Sequence, residues 1–265
     1  MTMRQGWEAE ARSWSRLART PGVDHSHTEV NWPAFLCLLP GPGRRTLDMG
    51  CGEGRVARLL RALGHRVAGI DASASMVRFA VGHQDPVPAV QADAARLPFG
   101  NQEFDLVVAY MTLHDIDGMV DAVAEAARVL EPSGRLCLAI PHPINSAGEF
   151  EARDAAAPFV ISGSYLDEHP APWVFDRAGI RMTFHSEHRP LESYAKALEA
   201  GGAADRGDPG GPAGRERRPA TLRGGSLAPD TAVPAASGGQ ARVAASATRP
   251  GPRASATVSA TKARP

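Results

Sequence analysis

The 265-residue sequence predicts an α/β fold, a doubly wound and mostly parallel sheet with helices on both faces. Two observations carry this. Short apolar runs alternate with stretches of about ten residues at helical periodicity, an alternation that calls for parallel pairing and right-handed crossovers. A glycine turn, Gly50-Cys51-Gly52-Glu53-Gly54, sits between the first apolar run and a helical pattern, and acidic residues end that run and the next, Asp48 and Asp71. Ligands of such sheets bind beyond the carboxyl ends of the strands, where both carboxylates lie.

Trp7 to Arg19 and Asn31 to Leu39 read as helices joined by a polar loop. The first strand is Thr46 to Met49. Val56, Leu59, Leu60 and Leu63 then fall at i, i+3, i+4 and i+7, one helix face, with Gly64 as the C′ residue. A strand at Arg66 to Ile70 ends on Asp71, a helix starts near Ser73, a short strand lies near Pro88 to Gln91, and Phe104 to Tyr110 is the fourth strand. Val120, Val123, Ala124 and Ala127 predict another helix face, stopped by the turn Glu131-Pro132-Ser133-Gly134 before the fifth strand, Arg135 to Ile140. Pro158 to Leu166 and Trp173 to His185 alternate as strands, with Ala178-Gly179 a turn inside the second. Leu191, Tyr194, Ala195 and Leu198 mark a last helix.

Three glycines at GxGxG permit a backbone to approach a ligand where a Cβ would collide. The nicotinamide fingerprint GxGxxG needs its third glycine one residue later, where Arg55 stands, so the pattern suits a nucleotide-like ligand without a pyrophosphate. In Asp48, Gly50, Gly52 and Gly54 the chain resembles class I S-adenosylmethionine-dependent methyltransferases, whose motif is (D/E)xGxGxG. The resemblance runs from about Trp7 to about Ala200 and implies a Rossmann-like domain binding S-adenosylmethionine. It places Asp48 and the Gly50-Cys51-Gly52 backbone around the methionine part and Asp71, followed by Ala72, at the ribose. Asp93 falls at the adenine amine, with Ala94 offering its N–H. Ala109, Tyr110 and Met111 fall at the cofactor's edge. It also divides residues 1–200 into a helical cap (1–40), a cofactor-binding core (41–143) and a segment of insertion strands and a helix (144–200).

His114, after the fourth strand, is the candidate to orient or deprotonate an acceptor, against the alternative of a histidine packing beside the next helix. His142 has a similar claim, with a His-Pro turn as its alternative. His25 with His27, and His185 with Glu187 and His188, lack the three or four converging ligands of a zinc site, so no metal is expected. Cys37, Cys51 and Cys137 form no CxxC and are read as reduced, Cys37 and Cys137 as small buried residues.

The last 65 residues carry ten Lys and Arg against four Asp and Glu, about +6, which leaves the body about −6 in a chain of net charge zero. They contain no aromatic, Ile, Met, Cys or His, so residues 201–265 are expected to be a disordered low-complexity tail, or GC-rich coding sequence read in a shifted frame, replacing the final strands of the sheet. No secretory leader and no membrane-length apolar run is present, which predicts a cytoplasmic protein. The acidic body and a tail without aromatic platforms argue against nucleic acid, and a small-molecule acceptor is preferred. An inactive or binding-only relative is the main rival, because of the abnormal C-terminus; a nicotinamide-dependent oxidoreductase is the lesser one.

Overall fold

The computed structural model describes residues 1–152, 154 and 156–202, together with the backbone of 242–248 and 255–261. The tail reading for 203–241, 249–254 and 262–265 lies outside these residues.

Helix α1 (Met3–Arg19) opens on a capping box in which Thr2 and Gln5 exchange side-chain and backbone hydrogen bonds, so two of the helix's orphan N–H groups are satisfied locally. A π-helical turn at Ser26–Asn31 leads into α2 (Trp32–Leu36). The core then follows as β1 (Thr46–Met49), α3 (Arg55–Ala62), β2 (Val67–Asp71), α4 (Ala74–Val81), β3 (Ala89–Gln91), β4 (Phe104–Tyr110), α5 (Met119–Val129) and β5 (Leu130–Pro141). β3, β2, β1, β4 and β5 lie side by side and pair in parallel. The order reverses at β1 and β4, which opens the switch-point crevice at their carboxyl ends.

Local signals explain most boundaries. Gly64, at φ +97°, donates to Arg61 while His65 donates to Leu60, the double hydrogen bond of a Schellman motif that ends α3. Ser73 caps α4 by accepting from the Met76 N–H at 3.1 Å. The two helix faces read from the sequence need correction. On α3 the buried residues are Ala57 and Leu60, while Leu63 is exposed. On α5 the stripe runs through Met119, Ala122, Val123, Ala126 and Ala127, and Val120 is 53% exposed. A 3.6-residue period fixes spacing but not phase, and small alanines weigh little in a pattern although they let a helix lie close to a sheet. The predicted turn at 131–134 is a bulge within β5. Phe104 pairs with Leu130, Leu106 with Arg135, and the residues between are looped out.

Beyond β5 come α6 (Ile144–Ala147), β6 (Gly148–Phe150), β7 (Phe159–Ile161), β8 (His169–Pro170), β9 (Trp173–Arg177), β10 (Ile180–Phe184), β11 (Glu187–His188) and α7 (Leu191–Ala200). Only Phe159–Ile161 of the predicted 158–166 strand forms one, paired with β6. The β9–β10 hairpin turns at Ala178-Gly179, where both residues have positive φ, +54° and +68°, as a type I′ turn requires. β10 packs on α1, so this hairpin and the N-terminal helix together roof the crevice.

At the far edge, β12 (Arg242–Thr248) pairs antiparallel with β5, and β13 (Ser255–Thr261) pairs with β12. This corrects the expectation that terminal strands are lost. RVAASAT and SATVSAT carry few large apolar residues, so hydropathy gives no strand signal, whereas backbone pairing needs none.

Candidate functional site

The crevice is a single cavity of about 2020 Å³. Gly50, Cys51, Gly52, Asp71, Ala72, Asp93, Ala94, Tyr110, Met111 and His114 all line it. Asp48 and Ala109 do not. Asp48 is buried beneath the glycine turn, and Ala109, alternating with Val108 and Tyr110, points into the core on the α5 side.

The turn is built for close approach. Gly50 has φ +75° and donates to the Ile70 carbonyl at 2.9 Å; a Cβ there would lie 2.0 Å from Thr112 Oγ1. Gly52, at φ +54°, donates its N–H to Asp71 Oδ2 at 2.8 Å, and Ser73 donates to Asp71 Oδ1 at 2.8 Å. Each carboxylate oxygen keeps a further acceptor site. Burial raises the Asp71 carboxyl to about 6. Asp48 is pushed up to about 7 by burial and then by Asp71, and its Oδ2 has no partner among the described residues. Two carboxylates starved of positive charge beside a glycine turn suit a ligand that brings an ammonium and hydroxyl donors. Asp93, exposed at the end of β3, accepts from the Ala95 N–H at 2.9 Å and fixes the loop over the adenine side expected from the resemblance. Met111 sits at φ +55° just past β4, an uncommon conformation for a side chain of that size and one that concentrates at binding sites.

His114 occupies the short 3₁₀ turn Leu113–Asp115. Its Nε2 faces Asp115 Oδ1 at 3.4 Å, and its Nδ1 is buried without a partner among the described residues. Burial, and then the Arg189 charge, lower it to about 3, so it is neutral at ordinary pH. Asp115 accepts from Ser186 Oγ at 2.6 Å and is held well above the usual carboxylate range by burial. His142 is an Asx-like turn former whose Nδ1 accepts from the Ile144 N–H at 3.2 Å.

Several lining or supporting groups carry no sequence signal. Glu8 on α1 accepts from Ser73 Oγ at 2.5 Å, from Ser75 Oγ at 2.6 Å and from the Ser75 N–H at 3.1 Å, pinning the roof helix to the start of α4. Glu53, buried within the glycine motif, is held between Arg19 at 2.8 Å and Arg58 at 2.6 Å. Tyr110 Oη lies 3.1 Å from His27 Nδ1, and burial followed by the Arg55 charge lowers His27 to about 4. Arg189, almost fully buried, donates to the carbonyls of Leu113 and Ile116 and so shapes the His114 turn from 75 residues away in sequence. The sequence singles out Tyr110 and His27, but not as a pair; of Glu8, Glu53 and Arg189 only Glu53, inside the glycine motif, lies where the sequence draws attention.

His188 uses both ring nitrogens, on Ser146 Oγ at 2.8 Å and the Tyr165 carbonyl at 2.8 Å, and stacks on His169. His25 faces Glu29 across one helical turn. Among the described residues no three His, Cys, Asp or Glu side chains are placed to hold a metal ion. The cysteines are free; Cys51 and Cys137 are buried, whereas Cys37, expected inside, is exposed because α2 ends at Leu36 and turns that position outward.

Residues 47–138 match a family model described as a methyltransferase domain. The chain is 39% identical over 104 residues to malonyl-(acyl-carrier protein) O-methyltransferase of Enterobacter lignolyticus (strain SCF1), covering 39% of this chain and 41% of that protein. It is 34% identical over 140 residues to 27-O-demethylrifamycin SV methyltransferase of Amycolatopsis mediterranei (strain S699), covering 49% and 52%. The chain therefore matches about half, or less, of the length of these curated relatives. The crystal structure of an S-adenosylmethionine dependent methyltransferase from Mesorhizobium loti superposes with a TM-score of 0.54 at 25% identity, over 66% of this chain and 81% of that one.

Proposed function

We propose that this chain, whose residues 47–138 form a class I S-adenosylmethionine-dependent methyltransferase-like domain, transfers a methyl group from that cofactor to a small-molecule acceptor. The observation that carries the reading is the juxtaposition, on one cavity, of the Gly50-Cys51-Gly52 turn with Asp71 and Asp93. The cofactor supplies a sulfonium-bound methyl with a neutral leaving group. The protein's part is then to bind, to orient and to exclude water.

On this reading Asp71 accepts from the ribose hydroxyls through its remaining lone pairs. Asp93 and the Ala94 N–H hold the adenine. Asp48 acts from below the turn, its buried charge favouring a ligand ammonium without touching the cavity. Tyr110 and Met111 pack at the cofactor's edge, and Trp14 closes over it, since the Trp14 indole nitrogen lies 3.2 Å from where a Gly52 Cβ would be. His114, neutral and with a bare Nδ1, receives a hydrogen bond from the acceptor. Such a weakly basic group positions a nucleophile and takes its proton late rather than ionising it beforehand.

Arg55 in place of the third fingerprint glycine argues against a nicotinamide cofactor. Three free cysteines suit a reducing compartment, from which we infer a cytoplasmic protein. No described helix is long and apolar enough to cross a membrane. Calorimetry with S-adenosylmethionine, followed by assay for S-adenosylhomocysteine in the presence of extracted metabolites, tests the reading. Binding with acceptor-dependent product is the expected result. Binding without turnover across extracts would favour the binding-only alternative, and absence of binding would overturn both.

A further inference from the structure

From the cavity's dimensions and lining we infer that the acceptor is a large, uncharged, mostly apolar molecule of several rings that presents a hydroxyl to His114; this rests on the methyl-transfer reading above. The cavity, at about 2020 Å³, is at least twice the upper end of ordinary ligand pockets, roughly 300–1,000 Å³, so a second drug-sized ligand fits beside a nucleoside cofactor.

The roof over that second space is aromatic. Trp7, Trp14 and Phe184 meet edge to face with ring centroids 5.7 to 5.9 Å apart, and Trp173 stacks on Phe184 at 4.2 Å. Trp173 and Val174, on the solvent-side strand of the hairpin, and Phe150 from β6 also line the cavity, yet each is 44% exposed or more. Apolar side chains gathered at a cavity mouth gain only if a ligand covers them. Flat rings suit them, because stacked and edge-on aromatic contacts add to the burial of area.

Charge and hydrogen bonding narrow the class. Asp71 and Asp48 are taken up by the cofactor on that reading, and three further charges, which line the cavity, are satisfied within the protein: Arg55 by Asp24 at 2.9 Å, Glu53 by two arginines, Arg189 by Glu187 and two carbonyls. An anionic acceptor would find Arg55 and Arg189 already engaged. By contrast, two buried polar atoms of residues that line the cavity lack partners among the described residues, Asn31 Oδ1, an acceptor, and His114 Nδ1, an acceptor when the ring proton is on Nε2. We assign the imidazole proton to Nε2, which faces the Asp115 Oδ1 that already accepts from Ser186, and this leaves Nδ1 bare for a donor. A ligand with O–H groups satisfies such atoms, whereas an ether or a ketone would leave them unpaired.

The test uses the full chain saturated with S-adenosylhomocysteine and three probes, 1-hydroxypyrene, pyrene and phenol, titrated by fluorescence, or by calorimetry for phenol. 1-Hydroxypyrene should bind about tenfold or more tighter than phenol, and Trp173→Ala, at a half-exposed position that folding tolerates, should remove about tenfold of that. 1-Hydroxypyrene should also bind better than pyrene, and His114→Ala should erase that preference. His114→Gln, which restores an acceptor, should return part of it if the Ala variant is poorly folded. Equal affinities for 1-hydroxypyrene and phenol, or a hydroxyl preference that survives both His114 variants, would overturn the inference. Separate titration of S-adenosylhomocysteine keeps the outcomes apart: its failure to bind, with the pyrenol bound, would sink the methyl-transfer reading, and the converse would sink this one.

Discussion

At the residue scale, the buried carboxylates dominate. Asp71 joins the glycine turn to the start of α4 by accepting from Gly52 and Ser73, and on the proposed reading the same oxygens accept from the ribose. Loss of hydrogen bonds to a charged group costs about 1.5–3 kcal/mol, so Asp71→Ala should weaken S-adenosylmethionine roughly 10- to 150-fold by calorimetry. Unchanged affinity in a folded variant would remove Asp71 from the site. Asp48 gives a pH signature. Its folded pKa, about 7, lies above the unfolded value of 3.8, so the folded state holds the proton more tightly and loses stability as pH rises between them. His27 and His114, lowered to about 4 and about 3, act in the opposite sense below pH 6.5, which blurs the raw profile. They cancel in a difference. The stability of Asp48→Asn minus that of the parent, from urea melts, should therefore climb by an order of a few kcal/mol between pH 4 and 7.5 in the ligand-free protein. A flat difference would show that Asp48 is ionised at no cost.

At the scale of elements, α1 and the β9–β10 hairpin make a roof that is tied to the core through Glu8 on Ser73 and Ser75 and Arg19 on Glu53. Burial works against the Glu8 carboxylate, but hydrogen bonds from Ser73 and Ser75 outweigh it and hold the group below its usual value. Glu8→Gln should cost about 1–2 kcal/mol of local stability and speed amide exchange in α1 while sparing β1 and β4. Uniform exchange changes across the chain would mean that α1 is not a separable lid. The hairpin carries a local strain. Ala178 is left-handed, which costs an L-residue about 1–2 kcal/mol, partly offset by the entropy that glycine adds to the unfolded chain. Ala178→Gly should thus raise stability by about 0.5–1 kcal/mol, seen as a higher melting temperature. A lower one would show that the turn relaxes in solution.

At the scale of the whole molecule, two strands far along the chain close the sheet. β12 covers β5 through a seven-residue antiparallel register from Arg242–Pro141 to Thr248–Arg135. A chain cut after Gly202 leaves β5 as an edge of unpaired N–H and C=O groups, a template for pairing with another copy. Light scattering should show concentration-dependent association of the shortened chain and not of the full one. If both behave alike, β12 is not what protects β5.

The sequence by itself determined the order of elements from Thr46 to Ile140, the helix start near Ser73, the Gly64 cap, the Ala178-Gly179 turn and the grouping of Gly50, Gly52, Asp71 and Asp93 on one cavity. These depend on near neighbours: a glycine's allowed φ, a cap's reach of three residues, the two-residue period of a strand. Tertiary structure alone decided which helix faces are buried, since Val120 and Ala126 fit the same period in different phases. It also decided that Asp48 and Ala109 lie behind the cavity wall, and that Glu8, Glu53 and Arg189 support a site they are remote from in sequence. Strands without large apolar residues, Arg242–Thr248 and Ser255–Thr261, were invisible to hydropathy because their pairing is carried by the backbone. Periodicity is a local property, whereas the counter-charge of a buried carboxylate, the partner of a lone imidazole nitrogen and the neighbour of a sheet edge are set only when distant segments meet.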